Sequence, residues 1–361
     1  MHVSSVPPDA IPAHDNLFQS AFWGDFKKAC GFEIYTFSVS WKNQTCPLLV
    51  LIRKGVDGNR YAYAPRAPYV SLPDEERGLF MEDLARQVRP LLPPDVICVR
   101  FDTCWPSPFN DSEYYAVNGQ WLGAPRDEIR ELRMNYSTSE RKLRKAPLDH
   151  FCPDTVVIDL RGDENLIMSR MRQTTRNCIR KSSKKGVICS CKKVSWLPEW
   201  YAIYADTAKR KGFFYEEYTY FETLLTTLQR ARTTNDIMDI RILAAEKDDI
   251  PLAGMILGLC RKNAYYLYAG STPEMRDCMP NYGLQWYAIH LAKEAGCTAY
   301  DLLGVPPNDD PRHSMSGLYT FKTGLGGKIL HFCGCWDYPY NESKYRQFRN
   351  AEGVGNVIGH I

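Results

Sequence analysis

One ordering of segments occurs twice along this chain, and it constrains the fold more than any bulk property does. Residues 16–31, NLFQSAFWGDFKKACG, read as a helix stopped by Gly31. Three strand-like runs follow: FEIYTFSVSW (32–41), CPLLVLIRK (46–54) and RYAYAPRAPYV (60–70), the last two separated by the turn-rich KGVDGN. Residues 74–92 place Phe80, Leu84 and Val88 on one helical face, and DVICVRFD (95–102) reads as a buried strand. The order then restarts. Helices are expected near 164–185, 198–211 and 218–231, followed by DIRILAAE (239–246), PLAGMILGLC (251–260) and AYYLYAG (264–270). A helix over 281–295, with Leu284, Ala288, Leu291 and Ala295 on one face, leads into TAYDLLGV (298–305).

Three consecutive strands suit an antiparallel meander, and the strand–helix–strand after them suits a parallel crossover. That mixed order resembles the acetyltransferase-like (GNAT-like) N-acyltransferases. The expected class is α/β (α+β), with two tandem GNAT-like domains carrying mixed sheets. A single large α/β domain fits less well, because the order restarts instead of alternating βα. At 361 residues the chain is long enough for two cores, at ~100–200 residues per domain.

Composition excludes little. The 44% hydrophobic and 24% charged content is that of a water-soluble globular chain, and a net charge of +3 decides nothing. The opening MHVSSVPPDAIPAHD lacks a basic stretch followed by an apolar core, so no secretory leader is expected. No run of ~18 apolar residues suggests a transmembrane helix. Thirteen cysteines, an odd number scattered through strand and helix segments, fit reduced thiols in a cytoplasm better than a disulfide framework. The pairs Cys189/Cys191 and Cys333/Cys335 are too closely spaced for a zinc site, so no metal is expected.

A coenzyme-A-dependent enzyme of this class opens its central helix with bare backbone N–H groups that hold a pyrophosphate. Here the second unit has Arg276-Asp-Cys-Met-Pro280-Asn-Tyr-Gly283, where Pro280 removes a donor and Met279 and Tyr282 crowd the approach. The first unit opens its helix with Asp74, Glu75 and Glu76, which would repel a phosphate. The acyl group is therefore expected on another carrier, with no cofactor.

Two positive signals remain. Between Leu166 and Pro198 there are nine Lys or Arg and no Asp or Glu. Arg172, Arg176, Arg180 and Lys184 recur every four residues, with Met168, Met171, Thr175 and Ile179 alongside, Asp163 at the start and Gly186 at the end. Such a stripe is either a solvated face or a seat for a phosphate-rich partner such as RNA. The second signal is GLYTFKTGLGG (317–327), read as a strand with Tyr319 and Phe321 on one face and Lys322 on the other. A lysine there could stabilise an oxyanion during acyl transfer. No G-x-S-x-G occurs, and no Cys/His pair singles itself out. Direct attack of a substrate amine on an already activated ester needs neither.

Taken together these blocks resemble the Fem-type (FemABX) aminoacyltransferases, which build peptidoglycan interpeptide bridges. The resemblance rests on Gln19-Ser20-x-x-Trp23-x-x-x-Lys27, on Asp154–Leu160 followed by Met171–Val187, and on Thr207–Phe213 with Tyr220-Phe221. It continues through Tyr266–Ser271, Met279–Trp286, Phe321–Gly327 and Trp336–Pro339, nearly the whole chain in order. It implies a first domain of 1–153 plus 334–361 on the acceptor side, and a second of 154–333. It also implies transfer of an amino acid from aminoacyl-tRNA to the side-chain amine at the third stem-peptide position. The acceptor would be UDP-MurNAc-pentapeptide or lipid II, the latter bringing peripheral membrane contact to a cytoplasmic monomer. By motif, Lys322 beside Phe321 would stabilise the tetrahedral intermediate, and Asp102 matches an acidic position near the site. Lys27 with Trp23 would hold precursor phosphate, and Tyr220 and Tyr268 would line the acceptor channel. Glu216 stands where many members place an arginine, with Arg210 close by. Arg172, Arg176, Arg180 and Lys184 would meet the tRNA. The short stretch from Tyr220 to Asp239 implies the compact form without a coiled-coil arm, and residues 103–133 match poorly. The alternatives are a coenzyme-A-dependent N-acyltransferase and a non-catalytic tRNA- or cell-wall-binding protein of the same fold.

Overall fold

The run Cys46–Ile52 is buried at every position, as a strand in the middle of a sheet covered on both faces should be. It is the centre of the first of two compact units in a computed structural model, which describes residues 1–11, 14–231 and 238–354. The first unit comprises Met1–Pro153 and the described residues from His331 on, and the second comprises Asp154–Leu330.

The first unit begins with β1 (His2–Ser5), α1 (Ala21–Ala29), β2 (Glu33–Trp41), β3 (Gln44–Lys54) and β4 (Arg60–Ala64). It continues with α2 (Asp74–Val88), β5 (Val96–Pro106), α3 (Asp127–Met134) and β6 (Arg144–Lys145). The second unit carries β7 (Asp154–Asp159), α4 (Glu164–Arg170), α5 (Gln173–Lys184), β8 (Ile188–Lys192), α6 (Leu197–Lys211) and α7 (Tyr218–Ala231). Next come β9 (Met238–Lys247), β10 (Ile250–Cys260), β11 (Asn263–Ser271), α8 (Pro280–Glu294), β12 (Ala299–Gly304) and α9 (Ser316–Gly324). β13 (Lys328–Pro339), which belongs to the first unit from His331 on, and α10 (Glu342–Val354) complete the chain.

The doubled order holds. In the first unit β2, β3 and β4 pair antiparallel and β4 runs parallel to β5, which pairs antiparallel with β13. In the second unit β9, β10 and β11 pair antiparallel and β11 runs parallel to β12, which pairs antiparallel with β7. Each unit has its own apolar core. Phe80, Leu84 and Val88 of α2 pack in the first, and Leu284, Ala288 and Leu291 of α8 in the second.

Gln19 explains part of the opening motif. β3 and β4 stop pairing near Leu51 and Tyr63, and the next rung would join Leu49 to Pro65, which has no N–H to give. The Gln19 amide takes that place, donating to the carbonyls of Leu49 (3.2 Å) and Pro65 (2.7 Å) and accepting from the Leu49 N–H (2.7 Å). Ser20 then caps α1 by accepting from the Trp23 N–H.

Three local expectations change. Tyr319, Phe321 and Lys322 lie on the helix α9, not on a strand, because their two-residue alternation is too short to outweigh the following turn at Gly326. The strand lies later, at β13. The long basic helix is two, α4 and α5, broken at Met171 and Arg172, which are both extended. The run 60–70 is strand only to Ala64, since Pro65 cannot extend the ladder. Residues 232–237, part of the link read as too short for a coiled-coil arm, lie outside the described residues.

Candidate active site

The parallel pairing of β11 and β12 is short. It joins Asn263, Ala264 and Tyr265 to Ala299, Tyr300 and Asp301, and beyond those residues the strands part. Carbonyls of β12 past that point have lost their ladder partners on the β11 side and need donors. Lys322 supplies them. From the last turn of α9 its ammonium donates to the carbonyls of Leu302 (2.6 Å), Leu303 (3.3 Å) and Gly304 (2.6 Å), with the Tyr266 ring centroid 5.5 Å away. The side chain is buried, at 5% exposure. An ammonium has three N–H donors, so these three carbonyls can occupy all of them. The contact to Leu303 is the longest of the three.

The carbonyls face the lysine because β12 bulges. Its register against β7 shifts between Asp301 and Gly304, and Leu303 has φ +55°. Asp301 Oδ1 accepts from the Leu303 N–H at 2.8 Å and from the Thr155 hydroxyl. Asp301 went unnoticed in the sequence, although an acid inside the apolar run Ala-Tyr-Asp-Leu-Leu is itself a signal. Phe321, next to the lysine, is half-buried and packs edge-on against Tyr282 of α8 at 5.1 Å.

A second group in the same unit joins Tyr220 and Tyr268, whose hydroxyls are 2.9 Å apart. Phe221 and Tyr204 wall them, each edge-on to Tyr268. Arg210, at the end of α6, donates to the Ser271 carbonyl at 2.6 Å and so holds the end of β11. Glu216 is half-buried, and its main-chain carbonyl accepts from Tyr201 at 3.3 Å.

The basic stripe divides in two. The Arg172 main chain donates to Gly324 at 2.9 Å and its guanidinium to the Thr323 hydroxyl at 3.0 Å, which ties it to the lysine-bearing α9. Arg176 folds back onto the carbonyls of Met171 (2.8 Å) and Ser169 (3.2 Å) and closes the α4–α5 joint. Arg180 and Lys184 are exposed, as is Arg172, while Arg176 is half-buried. At the opening of α8, Pro280 follows Met279 in the left-handed region, and a Cβ at Gly283 would meet Ser182 Oγ of α5 at 2.4 Å. The opening of α8 thus packs closely against α5.

The first unit holds the remaining expected residues. The Lys27 ammonium lies 5.1 Å from the Trp23 and Phe26 ring centroids and 5.7 Å from that of Phe32, and the residue is buried. Asp102 is enclosed. Its Oδ2 accepts from the Tyr63 hydroxyl (2.9 Å) and the Phe151 N–H (3.0 Å). Burial pushes its carboxyl above the ordinary value, against the pull of the Arg66 guanidinium. Arg66, which the sequence reading missed between two prolines, stacks over Phe151 at 4.7 Å and Phe332 at 5.2 Å. The structure thus brings Lys27 together with Trp23, Tyr220 with Tyr268, and Arg172 with the helix of Lys322. No two cysteines are joined in a disulfide, and no helix among the described residues is long and apolar enough to cross a membrane.

Comparison with known proteins adds a family. The model of the FemAB family matches residues 10–234 and 228–352. A lipid II:glycine glycyltransferase of Staphylococcus saprophyticus is 32% identical over 121 residues, 33% of this chain and 29% of that one. One of Staphylococcus aureus is 30% identical over 128 residues, 35% of this chain and 30% of that one. The chain thus spans about a third of the length of the curated relatives it matches. The crystal structure of FemX superposes with a TM-score of 0.72 at 16% identity, over 97% of this chain and all of that one, a likeness of fold.

Proposed function

Because the chain belongs to the FemAB family, we propose that it transfers an aminoacyl group to an amine of a peptidoglycan precursor. The donor in this reading is aminoacyl-tRNA. The acceptor is the side-chain amine at the third stem-peptide position of a lipid-linked or nucleotide-linked muropeptide. The amine forms a C–N bond to the ester carbonyl, a tetrahedral oxyanion forms, and the ester C–O bond breaks. The amine gives up one proton and the departing ribose oxygen takes one. No acyl-enzyme and no metal enter, and no proton step is routed through the enclosed Asp102.

The observation that carries the reading is the seat of Lys322, where β11 and β12 part and one long carbonyl contact can yield to the oxyanion. Removing a donor of this kind typically costs ~100–1,000-fold in rate. The exposed Arg180 and Lys184 offer a seat for tRNA phosphates, with affinity falling as salt rises. Lys27 and Trp23 would take the precursor phosphate, and Tyr220 and Tyr268 the stem peptide.

The same three carbonyl contacts favour a second reading, in which Lys322 only closes the gap between strands and the protein binds without transferring. Incubation with charged tRNA and labelled precursor separates the two. Transfer by the native chain, and its loss in Lys322→Met assayed well below that variant's unfolding temperature, supports the first. Retained binding of both substrates with no amino acid transferred from any charged tRNA supports the second.

A further inference from the structure

Strand β11 carries one residue more than its partner. β10 pairs Ile256 with Tyr268 and Leu257 with Tyr266, so Leu267 stands opposite no residue of its own. A bulge of this kind reverses the alternation of the strand beyond it. Tyr266 and Tyr268, two apart in sequence, would share one face of an unbroken strand. Here they part. Tyr268 packs edge-on against Tyr204 of α6 and Phe221 of α7, whereas Tyr266 joins the core around Leu284 and Ala288 of α8. Tyr266 is also the first residue of β11 past its parallel pairing with β12, which ends at Tyr265. The Lys322 ammonium lies over its ring, 5.5 Å from the centroid.

The ring is held from inside the core. Gln285 of α8, at 1% exposure, accepts at 2.9 Å from the hydroxyl of Tyr300, which is itself fully buried. Burial pushes the Tyr266 phenol up to about 12, and the Gln285 side chain, set as its hydrogen-bond partner, pulls the other way. That contact is loose, because Gln285 Nε2 is enclosed and forms no hydrogen bond of full geometry. A leucine would fill the same space without an unmet donor. The amide's role therefore lies in what it joins, Tyr266 on one side and Tyr300 on the other.

We propose that Tyr266 is a positioning residue for Lys322, its ring fixing where the ammonium stands during acyl transfer. The carbonyls of Leu302, Leu303 and Gly304 stand against the three N–H donors of that ammonium. A ring face attracts the charge without taking a donor. This contact therefore persists when an N–H turns to a substrate oxygen. The bulge at Leu267 brings the tyrosine there, and Gln285 with Tyr300 keeps its hydroxyl end inside. The assignment rests on the transfer reading above.

Two measurements test it on the full chain. One is transfer from charged tRNA to the precursor. The other needs no substrate: an NMR titration of the Lys322 ε-carbon, assigned by its loss in Lys322→Met. Tyr266→Leu should lower kcat about tenfold with KM unchanged, and should lower the Lys322 midpoint, since the ring favours the charged form. Tyr266→Phe keeps the ring and should keep both. Gln285→Leu, which loosens the ring but leaves it in place, should fall between them. Thermal unfolding of each variant confirms that it folds. An unchanged midpoint in Tyr266→Leu overturns the proposal whatever the activity, as does an unchanged kcat where the native chain transfers. So does an equal loss in Tyr266→Phe, which would make the hydroxyl the working group. An inactive native chain whose midpoint still falls in Tyr266→Leu sinks the transfer reading and leaves the ring's hold on Lys322 standing.

Discussion

The carboxylate of Asp301 accepts the main-chain N–H of Leu303, two residues ahead, and holds that leucine at φ +55° within a strand. Few leucines adopt this conformation without such a hold. The bulge turns three carbonyls toward Lys322, so Asp301 positions the lysine without touching it. Asp301→Ala should cost ~1–3 kcal/mol in urea unfolding, the usual penalty for a buried group left without its partner. In the proposed transfer it should lower kcat with little change in KM, while Asp301→Asn, which keeps an acceptor oxygen, should retain most of both. A fall in KM-dependent binding with unchanged kcat would assign Asp301 to the substrate instead.

Tyr220 and Tyr268 meet through their hydroxyls. Each Tyr→Phe change should destabilise the second unit by ~1 kcal/mol, and the double change by less than the sum, since one bond is lost only once. If the pair lines the acceptor channel, KM for the muropeptide rises in both single variants while tRNA binding holds. A double-mutant cycle on KM and on unfolding measures both.

The long apolar runs disclosed the sheets. Cys46–Ile52 and Leu252–Cys260 have no polar break that a surface element would need, and β3 and β10 are central strands. α3 stayed hidden because its apolar residues mark the outside, so its periodicity points away from the core. α9 was mistaken for a strand because Tyr319 and Phe321 alternate over a window too short to distinguish periods of 2 and 3.6. Tyr220 and Tyr268 in the second unit, and Lys27 and Trp23 in the first, were named through motif, and each pair is in contact. The contacts of Lys322 were not, because they are main-chain carbonyls, which no residue type announces.

Gly283 lets α8 approach α5. A methyl group there would lie 2.4 Å from Ser182 Oγ and 3.2 Å from Ser182 Cβ, both inside the packed second unit. Gly283→Ala should destabilise by ~1–3 kcal/mol. Adding Ser182→Gly should recover much of the loss, since it removes both clashing atoms. Chemical denaturation of the single and double variants checks the coupling.

His290 on α8 meets Glu164 of α4 at 2.7 Å and Glu294 at 3.2 Å. The hydrogen bond to Glu164 and the nearby charges raise its pKa above the ordinary 6.5. The folded state therefore holds the proton more tightly than the unfolded chain. The contribution is fully present below pH 6.5 and is lost as pH rises through the elevated value. Solvent and salt screen it, so it should be small. NMR titration should find the His290 midpoint above that of a free histidine, and Glu164→Gln should bring it down.

Gln19 stands in for a missing rung between Leu49 and Pro65, and it lies just ahead of α1. A chain shortened by its first twenty residues would keep every residue of the β2–β4 meander but leave three main-chain groups without partners inside it. α1, which carries Lys27 and two of the rings around it, begins two residues after that amide. Tags, fusions or processing that disturb the leading segment would therefore be felt at the lysine, even though they remove none of the rings around it.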